Sequence, residues 1–359
     1  MPVREFVKGD IPQVLSLYWN HMGPRAGPAP AALATSFTEL YFSNPSVESA
    51  SPSYVYQDSR GEVVGFLGIT SRKMSLSGQP VRASFAGNFV VHPKARSGLA
   101  APRLVAAYMA ENHDLLLTDS ANDASRYISE RRGFQLIPAL NIHWSRPLRP
   151  SSYAAYVVAR NLTPKASSAL RLAAKPFGMV ADPWFKPRPR TRPKLYGTEL
   201  RPETLLECLR EFRKGYSLWP DYNVEFLAWL LNFIGRKGKR GDLRRMAVRD
   251  EHGNVVGWYI YYVKPGEVAE VVQIGGEPKL TKDILGHLWQ DAWEQGAIAL
   301  HGLADFERMA DFSDEGCFFT CRGGWALAYS QRPELIDTLQ RGRGFLSRLD
   351  GEWCLHPGE

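Results

Sequence analysis

The sequence predicts an α/β protein, a mixed sheet of α+β character carrying helices on its faces, built twice in tandem. Three observations lead there. Over residues 1–147, runs with strand alternation interleave with runs of helical period. A nine-residue segment of that half recurs 192 positions later, Asp58 against Asp250. Between the halves the composition changes: from Arg146 to Tyr196 prolines recur and Lys and Arg dominate. A chain of 359 residues is long enough for two domains. The expected division is a first domain at 1–147, a Pro-rich basic connector at 148–197 and a second domain at 198–359.

In chain order, Val3 to Phe6 reads as a strand, and Gly9-Asp10 as the turn and cap before a helix carrying Ile11, Val14, Leu15, Leu17 and Tyr18. A Gly-Pro-Ala tract, Gly23 to Pro30, breaks it, and a second helix follows around Leu33 to Phe42. Ser53 to Tyr56 and Val63 to Ile69 flank an Asp58–Gly61 turn and form a hairpin. A second strand pair is expected over Arg72–Ser77 and Val81–Val91. A helix around Leu104 to Met109, a buried strand from Leu115 to Thr118, and a helix from the Asn122 region to Arg132 come next, with Gly133 as terminator. Phe134–Ile137 and Leu140–Trp144 are expected to close this first sheet.

The second half repeats the pattern. Asp250-Glu-His-Gly-Asn-Val-Val-Gly-Trp258 matches Asp58-Ser-Arg-Gly-Glu-Val-Val-Gly-Phe66 in five columns. Helices over Glu203–Tyr216 and Val224–Ile234 precede it. A strand (Val268–Ile274), a helix (Asp283–Gln295) and a strand (Ala297–Leu300) follow, as expected of a second copy. In the connector, helical pieces are expected at Ser152–Arg160 and Lys165–Phe177, and extended chain over Lys186–Lys194, which carries five positive charges and no acid. That run reads as a solvated linker, with weak contact to an anionic surface as its alternative use; nucleic acid is not an expected partner.

The bulk numbers narrow the classes. The apolar fraction of 44% and charged fraction of 23% suit a soluble globular chain, and much of the net charge of +7 is local to the connector. The first ten residues lack the apolar core of a signal peptide, and no run approaches the roughly 20 apolar residues of a membrane span. Four cysteines, all in the second half, fit a reducing cytoplasm, the expected compartment. Cys317 and Cys321 read as buried free thiols; no metal is expected, because nothing completes a four-ligand site.

The most informative stretch is Phe89-Val-Val-His-Pro-Lys-Ala-Arg-Ser-Gly-Leu-Ala-Ala-Pro-Arg-Leu104. An apolar strand (Phe89, Val90, Val91) stops at His92-Pro93, where proline has no amide for the ladder. A short polar loop (Arg96, Ser97, Gly98, Leu99) leads into a helix at Ala100 and Ala101. Unpartnered amides at such a helix start suit an anion such as phosphate.

This stretch resembles the GNAT superfamily of acyl-CoA-dependent N-acyltransferases, in which a strand ending Val-x-Pro leads through Arg/Gln-x-x-Gly-x-Gly/Ala into a helix. Val90 or Val91, Pro93, Arg96 and Ala101 fall on the pattern; Leu99 replaces the middle glycine and Gly98 lies one position early. Downstream, Asn122, Ser125 and Gly133-Phe134 match the family spacing, while Ser129 stands where the family places tyrosine. Tyr127 lies two residues earlier, about 200° around a helix. The resemblance implies that residues 89–91 offer a backbone amide to a thioester carbonyl. It also implies that Arg96 and the loop hold a pyrophosphate, and that a hydroxyl, here Ser129 or Tyr127, attends the leaving thiolate. Acetyl-CoA or another acyl-CoA is then the co-substrate, and a small-molecule amine the acceptor. No acid lies between Phe85 and Val91 to act as base, so His92 is the candidate by residue type.

The second half has Gly275-Gly-Glu-Pro-Lys-Leu-Thr281 at the corresponding loop, without the motif. It is expected to have lost acyl-CoA binding and to shape an acceptor pocket, with Trp219, Asp221, Tyr222, Glu225, Trp229, Trp258 and Tyr259 as candidates. Two further readings stand beside the acyltransferase. One is a FemABX-like aminoacyl transferase, which also pairs two such domains; the other is a non-catalytic module of the same fold. Acceptor identity and oligomeric state are not legible.

Overall fold

The computed structural model describes residues 3–22, 30–45, 51–96, 98–160, 162–163, 166, 181–187, 194–321 and 324–356. Two mixed sheets organise it, each inside its own compact unit.

In the first sheet, β1 (Val3–Glu5), β2 (Tyr54–Gln57), β3 (Val63–Leu76) and β4 (Gln79–Val91) are successive antiparallel neighbours, and β5 (Leu115–Ala121) pairs parallel to β4. Helices α1 (Ile11–Met22) and α2 (Ala31–Phe42) stand between β1 and β2 in the chain; α3 (Ala100–Met109) links β4 to β5, and α4 (Asp123–Glu130) follows β5. The two strand segments expected at Val63–Ile69 and Arg72–Ser77 are one strand of 14 residues, because Thr70-Ser71 continues the ladder opposite Phe85 and Ser84. Asn122 caps α4 by accepting the Ser125 amide at 2.9 Å, and Gly133 ends the segment at φ 94°.

The second sheet has the same order: β8 (Tyr196–Glu199), β10 (Asp242–Arg249), β11 (Val255–Val263) and β12 (Val268–Gly276) antiparallel, then β13 (Ala299–Leu303) parallel to β12. α6 (Pro202–Glu211) and α7 (Val224–Gly235) precede β10, and α8 (Thr281–Glu294) links β12 to β13. The repeated nine residues now have a physical reason. Asp58 and Asp250 each accept two loop amides through Oδ1, and Gly61 and Gly253 take φ of 80° and 86° in the same turn. A Cβ on Gly65 would stand 3.0 Å from Leu104 of α3, and one on Gly257 2.5 Å from Ile284 of α8, so both strands carry glycine where a helix crosses them.

Beyond the parallel pair the two halves exchange strands. β7 (His143–Pro147), expected to close the first sheet, lies between β13 and β14 (Phe318–Thr320) in the second. Its place in the first sheet is taken by β15 (Trp325–Tyr329), between β5 and β6 (Gln135–Leu136). β9 (Leu218–Pro220) pairs with the far end of β3. The compact units are therefore not contiguous: one comprises 1–141, 215–230 and 323–359, the other 142–214 and 231–322. The boundary expected at 147 falls after β7 because an alternating strand looks alike in either sheet.

In the connector, α5 (Pro150–Ala159) coincides with the expected first helix. The helix expected at Lys165–Phe177 and most of the Lys186–Lys194 run lie outside the described residues. After the exchange come α9 (Met309–Asp314), α10 (Pro333–Gln340) and α11 (Glu352–Leu355). Cys317 is buried as expected, but Cys321 is exposed, and none of the four cysteines forms a disulfide. No described helix is long and apolar enough to cross a membrane.

Candidate active site

The site lies in a gap left where β4 and β5 stop pairing. Their ladder is confined to Ala83–Leu115, Ser84–Leu116 and Phe85–Leu117, although β4 continues to Val91 and β5 to Ala121. The departure begins at a bulge. The register with β3 passes from Gly68–Gly87 to Phe66–Val90, so Asn88 and Phe89 together face Leu67. Asn88 sits at φ 52°, a backbone strain of the kind that needs surrounding contacts to persist. Those contacts are present: its Nδ2 donates to the Tyr41 hydroxyl at 2.7 Å, and its main-chain N–H donates to Glu352 Oε1 at 2.5 Å.

The resulting cleft opens to solvent, and its cavity volume is about 60 Å³. One wall is apolar, with Leu67, Ala86, Phe89, Val105, Tyr108 and Phe134; the other carries Thr118, Ser120, Asn122, Ser125, Ser129 and Glu352. The Val91 carbonyl is turned away from β3, since it accepts from Arg96 Nε at 3.1 Å. Carbonyl and amide of one residue share a direction in an antiparallel strand, so the Val91 N–H faces the gap side, and alternation puts the Phe89 N–H there too.

Glu352 is the group the sequence reading missed. It opens α11 near the C-terminal end and is half-buried, its Oε1 accepting the Asn88 amide and its Oε2 the Ser120 hydroxyl. Burial, with the neighbouring Asp119 carboxylate second, pushes its pKa up to about 7. Asp119 on β5 holds α11 in place by accepting the Glu352 amide at 3.0 Å, and burial raises its own pKa to about 6. Two glycines make this approach possible. A Cβ on Gly87 would stand 2.8 Å from Glu352 Cγ, and one on Gly351 1.9 Å from Asp119 Oδ2. Tyr41 and Tyr18 stand close enough for the Glu352 charge to add to the burial that raises their hydroxyl pKa values. Tyr18 also bonds His356 Nε2 at 2.6 Å.

The residues expected from the sequence divide. Phe89, Asn122, Ser125 and Ser129 line the cleft. Val90 and Val91 are buried in the strand beside it, and Ala100 and Ala101 pack the start of α3 into the core beneath. Leu99 is the N-cap of α3, 57% exposed and without a side-chain cap bond. Gly98 donates its amide to the Ala95 carbonyl at 3.2 Å; Ser97 lies outside the described residues. The first-turn amides of α3, at 100 and 101, have no intrahelical acceptor, and Pro102 has no N–H. Tyr127 is 58% exposed with the Arg131 guanidinium over its ring, and is not brought to the cleft. Neither is His92, whose Nδ1 caps the Pro93–Ala95 turn by accepting the Lys94 amide.

The aromatic residues offered for an acceptor pocket are packed elsewhere. Tyr222 donates to the buried Asp350, and Trp219 stacks on Phe345 at 4.2 Å. Trp258 and Tyr259 are fully buried in the second unit. The loop equivalent to 93–99 is four residues shorter there: Pro278–Leu280 runs straight into α8 at Thr281.

Sequence signals for the missed groups were uneven. Gly87-Asn88 inside an apolar strand is a bulge signal. Nothing local marks Glu352, which meets Asn88 across 264 residues.

With this geometry in view, comparison with known proteins is informative about fold. No protein-family profile and no curated protein matches the sequence. Among solved structures, a conserved Enterococcus faecalis protein described as a probable N-acyltransferase is similar at TM-score 0.59 and 11% identity, over 91% of this chain and 71% of that one. A GCN5-related N-acetyltransferase from Anabaena variabilis gives 0.58 and 10%, over 92% and 73%. Saccharomyces cerevisiae N-myristoyltransferase with bound myristoyl-CoA gives 0.56 and 11%, over 92% and 79%. The chain therefore has a GNAT-like acyltransferase fold, with two mixed sheets.

Proposed function

We propose that the protein is an acyl-CoA-dependent N-acyltransferase working in the β4–β5 gap of the first unit, with Glu352 as its base. The observation that carries this reading is a half-buried carboxyl whose pKa desolvation raises to about 7, bonded to the bulge of the very strand whose amides line the cleft. An amine attacks a thioester only when neutral, and a base titrating near working pH is well matched to take its proton. The acyl-CoA would lie with its thioester carbonyl toward the Phe89 and Val91 amides and its diphosphate at the α3 start, where Arg96 adds charge. When the C–N bond has formed and the C–S bond breaks, the Ser129 hydroxyl can hydrogen-bond the departing sulfur. Its own pKa is too high for it to be the proton source.

Acetyl-CoA is the co-substrate we favour, and a small amine the acceptor. The matching order of the two sheets, and the shortened loop before α8, support reading the second unit as a copy without acyl-CoA binding. Titration calorimetry with acetyl-CoA tests the binding half. Affinity should fall about tenfold in Arg96→Ala, the worth of one charge-assisted contact. No heat at millimolar ligand in the wild type, or unchanged affinity in the variant, sinks it.

A further inference from the structure

The connector presents a surface that acyl transfer does not use. α5 is tied down on one side, where the buried Asp182 accepts the Ser151 amide at 2.9 Å and the Ser152 hydroxyl at 2.6 Å. On its open side Ala154, Val157 and Val158 are exposed at i, i+3 and i+4, an apolar stripe in water. Immediately after Asp182, Trp184 and Phe185 are 86% and 59% exposed, Trp184 more so than any other large hydrophobic side chain among the described residues. Such a pair on a pinned turn forgoes the stabilisation that burial would give it. The surrounding charge is equally one-sided. From Leu148 to Gly197 the sequence holds ten Lys and Arg against one acid, Asp182, a net +9 where the whole chain has +7. The rest of the protein is thus slightly acidic, and the connector's single carboxylate is spent on capping α5. Six of the ten, Lys165, Arg171, Lys175, Arg188, Arg190 and Arg192, lie outside the described residues and enter this count by charge alone.

We propose that the segment docks the protein on an anionic lipid bilayer. Trp184 and Phe185 enter the boundary between headgroups and acyl chains, Lys186 beside them meets anionic headgroups, and the net charge of the segment adds longer-range attraction. Charge complementarity selects this occupant. A second copy of the chain would bring two +9 segments together. A nucleic acid would stack on Trp184 and Phe185 but gain nothing from the valine stripe, which a bilayer can also accept.

Vesicle sedimentation of the full-length protein tests the proposal. Vesicles of phosphatidylcholine with phosphatidylserine should bind it, and phosphatidylcholine alone should not. The double variant Trp184→Ala/Phe185→Ala should partition about tenfold less, on the loss of two interfacial aromatics. Binding should vanish between about 0.1 M and about 1 M salt, as the Debye length falls from about 10 to about 3 Å. Both residues are exposed, so an unchanged thermal midpoint should accompany the variant. Absence of binding to the mixed vesicles overturns the proposal, as does binding indifferent to the double substitution. So does tighter binding to a mixed-sequence RNA, or a dimer that the substitution dissolves.

Discussion

Replacing Glu352 by glutamine should make the protein more stable and less active, and the size of the first effect follows from its surroundings. The carboxyl's pKa is raised from 4.5 to about 7, first by burial and then by Asp119. A carboxyl raised in the folded state costs stability when it ionises. The cost is absent below about 4.5, grows with pH and is complete above about 7. That interval corresponds to on the order of 3 kcal/mol. Glutamine fills the same volume and carries no charge, and its carbonyl can still accept the Asn88 amide. Wild type and Glu352→Gln should therefore match in urea unfolding near pH 4.5 and diverge by roughly 3 kcal/mol near pH 8, the variant being the more stable. Turnover should move the other way, by about 10² to 10⁴ in kcat, the usual worth of a positioned base. It is read as thiol release from acetyl-CoA in the presence of a panel of amines. In wild type kcat/KM should rise with pH through a midpoint near 7, because only the ionised form accepts a proton; the variant should lack that limb. A variant that is less stable at pH 8, or that keeps wild-type turnover and pH profile, would refute the reasoning, since Glu352 would then be an ordinary structural carboxylate.

Gly87→Ala puts a methyl 2.8 Å from Glu352 Cγ; the side chain can swing aside, so folding should survive while steady-state kcat falls at least about tenfold with acetyl-CoA affinity unchanged. Gly351→Ala meets Asp119 Oδ2 at 1.9 Å and must break the cap of α11, which should lower unfolding free energy by about 1–3 kcal/mol as well as turnover. Ser129→Ala should reduce thiol release only a few-fold, because a hydroxyl of this type contributes one hydrogen bond and no proton; a loss above about a hundredfold would assign it a larger part than its chemistry allows.

Much of the architecture was legible because it is local. Asn122 announces the cap of α4 three residues before the amide it binds, and the Asp58 and Asp250 turns carry their own hydrogen-bond acceptors. Among the site residues, Phe89, Asn122, Ser125 and Ser129 reached the cleft because each lies where a strand or helix leaves the sheet beside the gap. Tyr127 did not, for the helical reason visible in the sequence: two positions carry it to the far side of α4. His92 was suggested by residue type alone, and its imidazole is taken up by the turn it caps.

The sequence by itself determined most of the strand and helix order as far as α4, the recurrence of the Asp58 turn at Asp250 and the loop that opens α3, since these are written in periodicity, turn residues and spacing; β8, β10 and the elements after Leu303 were not read from it. Only the tertiary structure decided which sheet receives β7 and which receives β15, because a strand's alternation specifies a face and not a partner. It also decided the setting of Glu352. The Glu352 carboxyl is held by Asn88 and Ser120, and its main-chain amide by Asp119, groups more than 200 residues away in the chain. A raised pKa is a property of that enclosure, which no short stretch of sequence records.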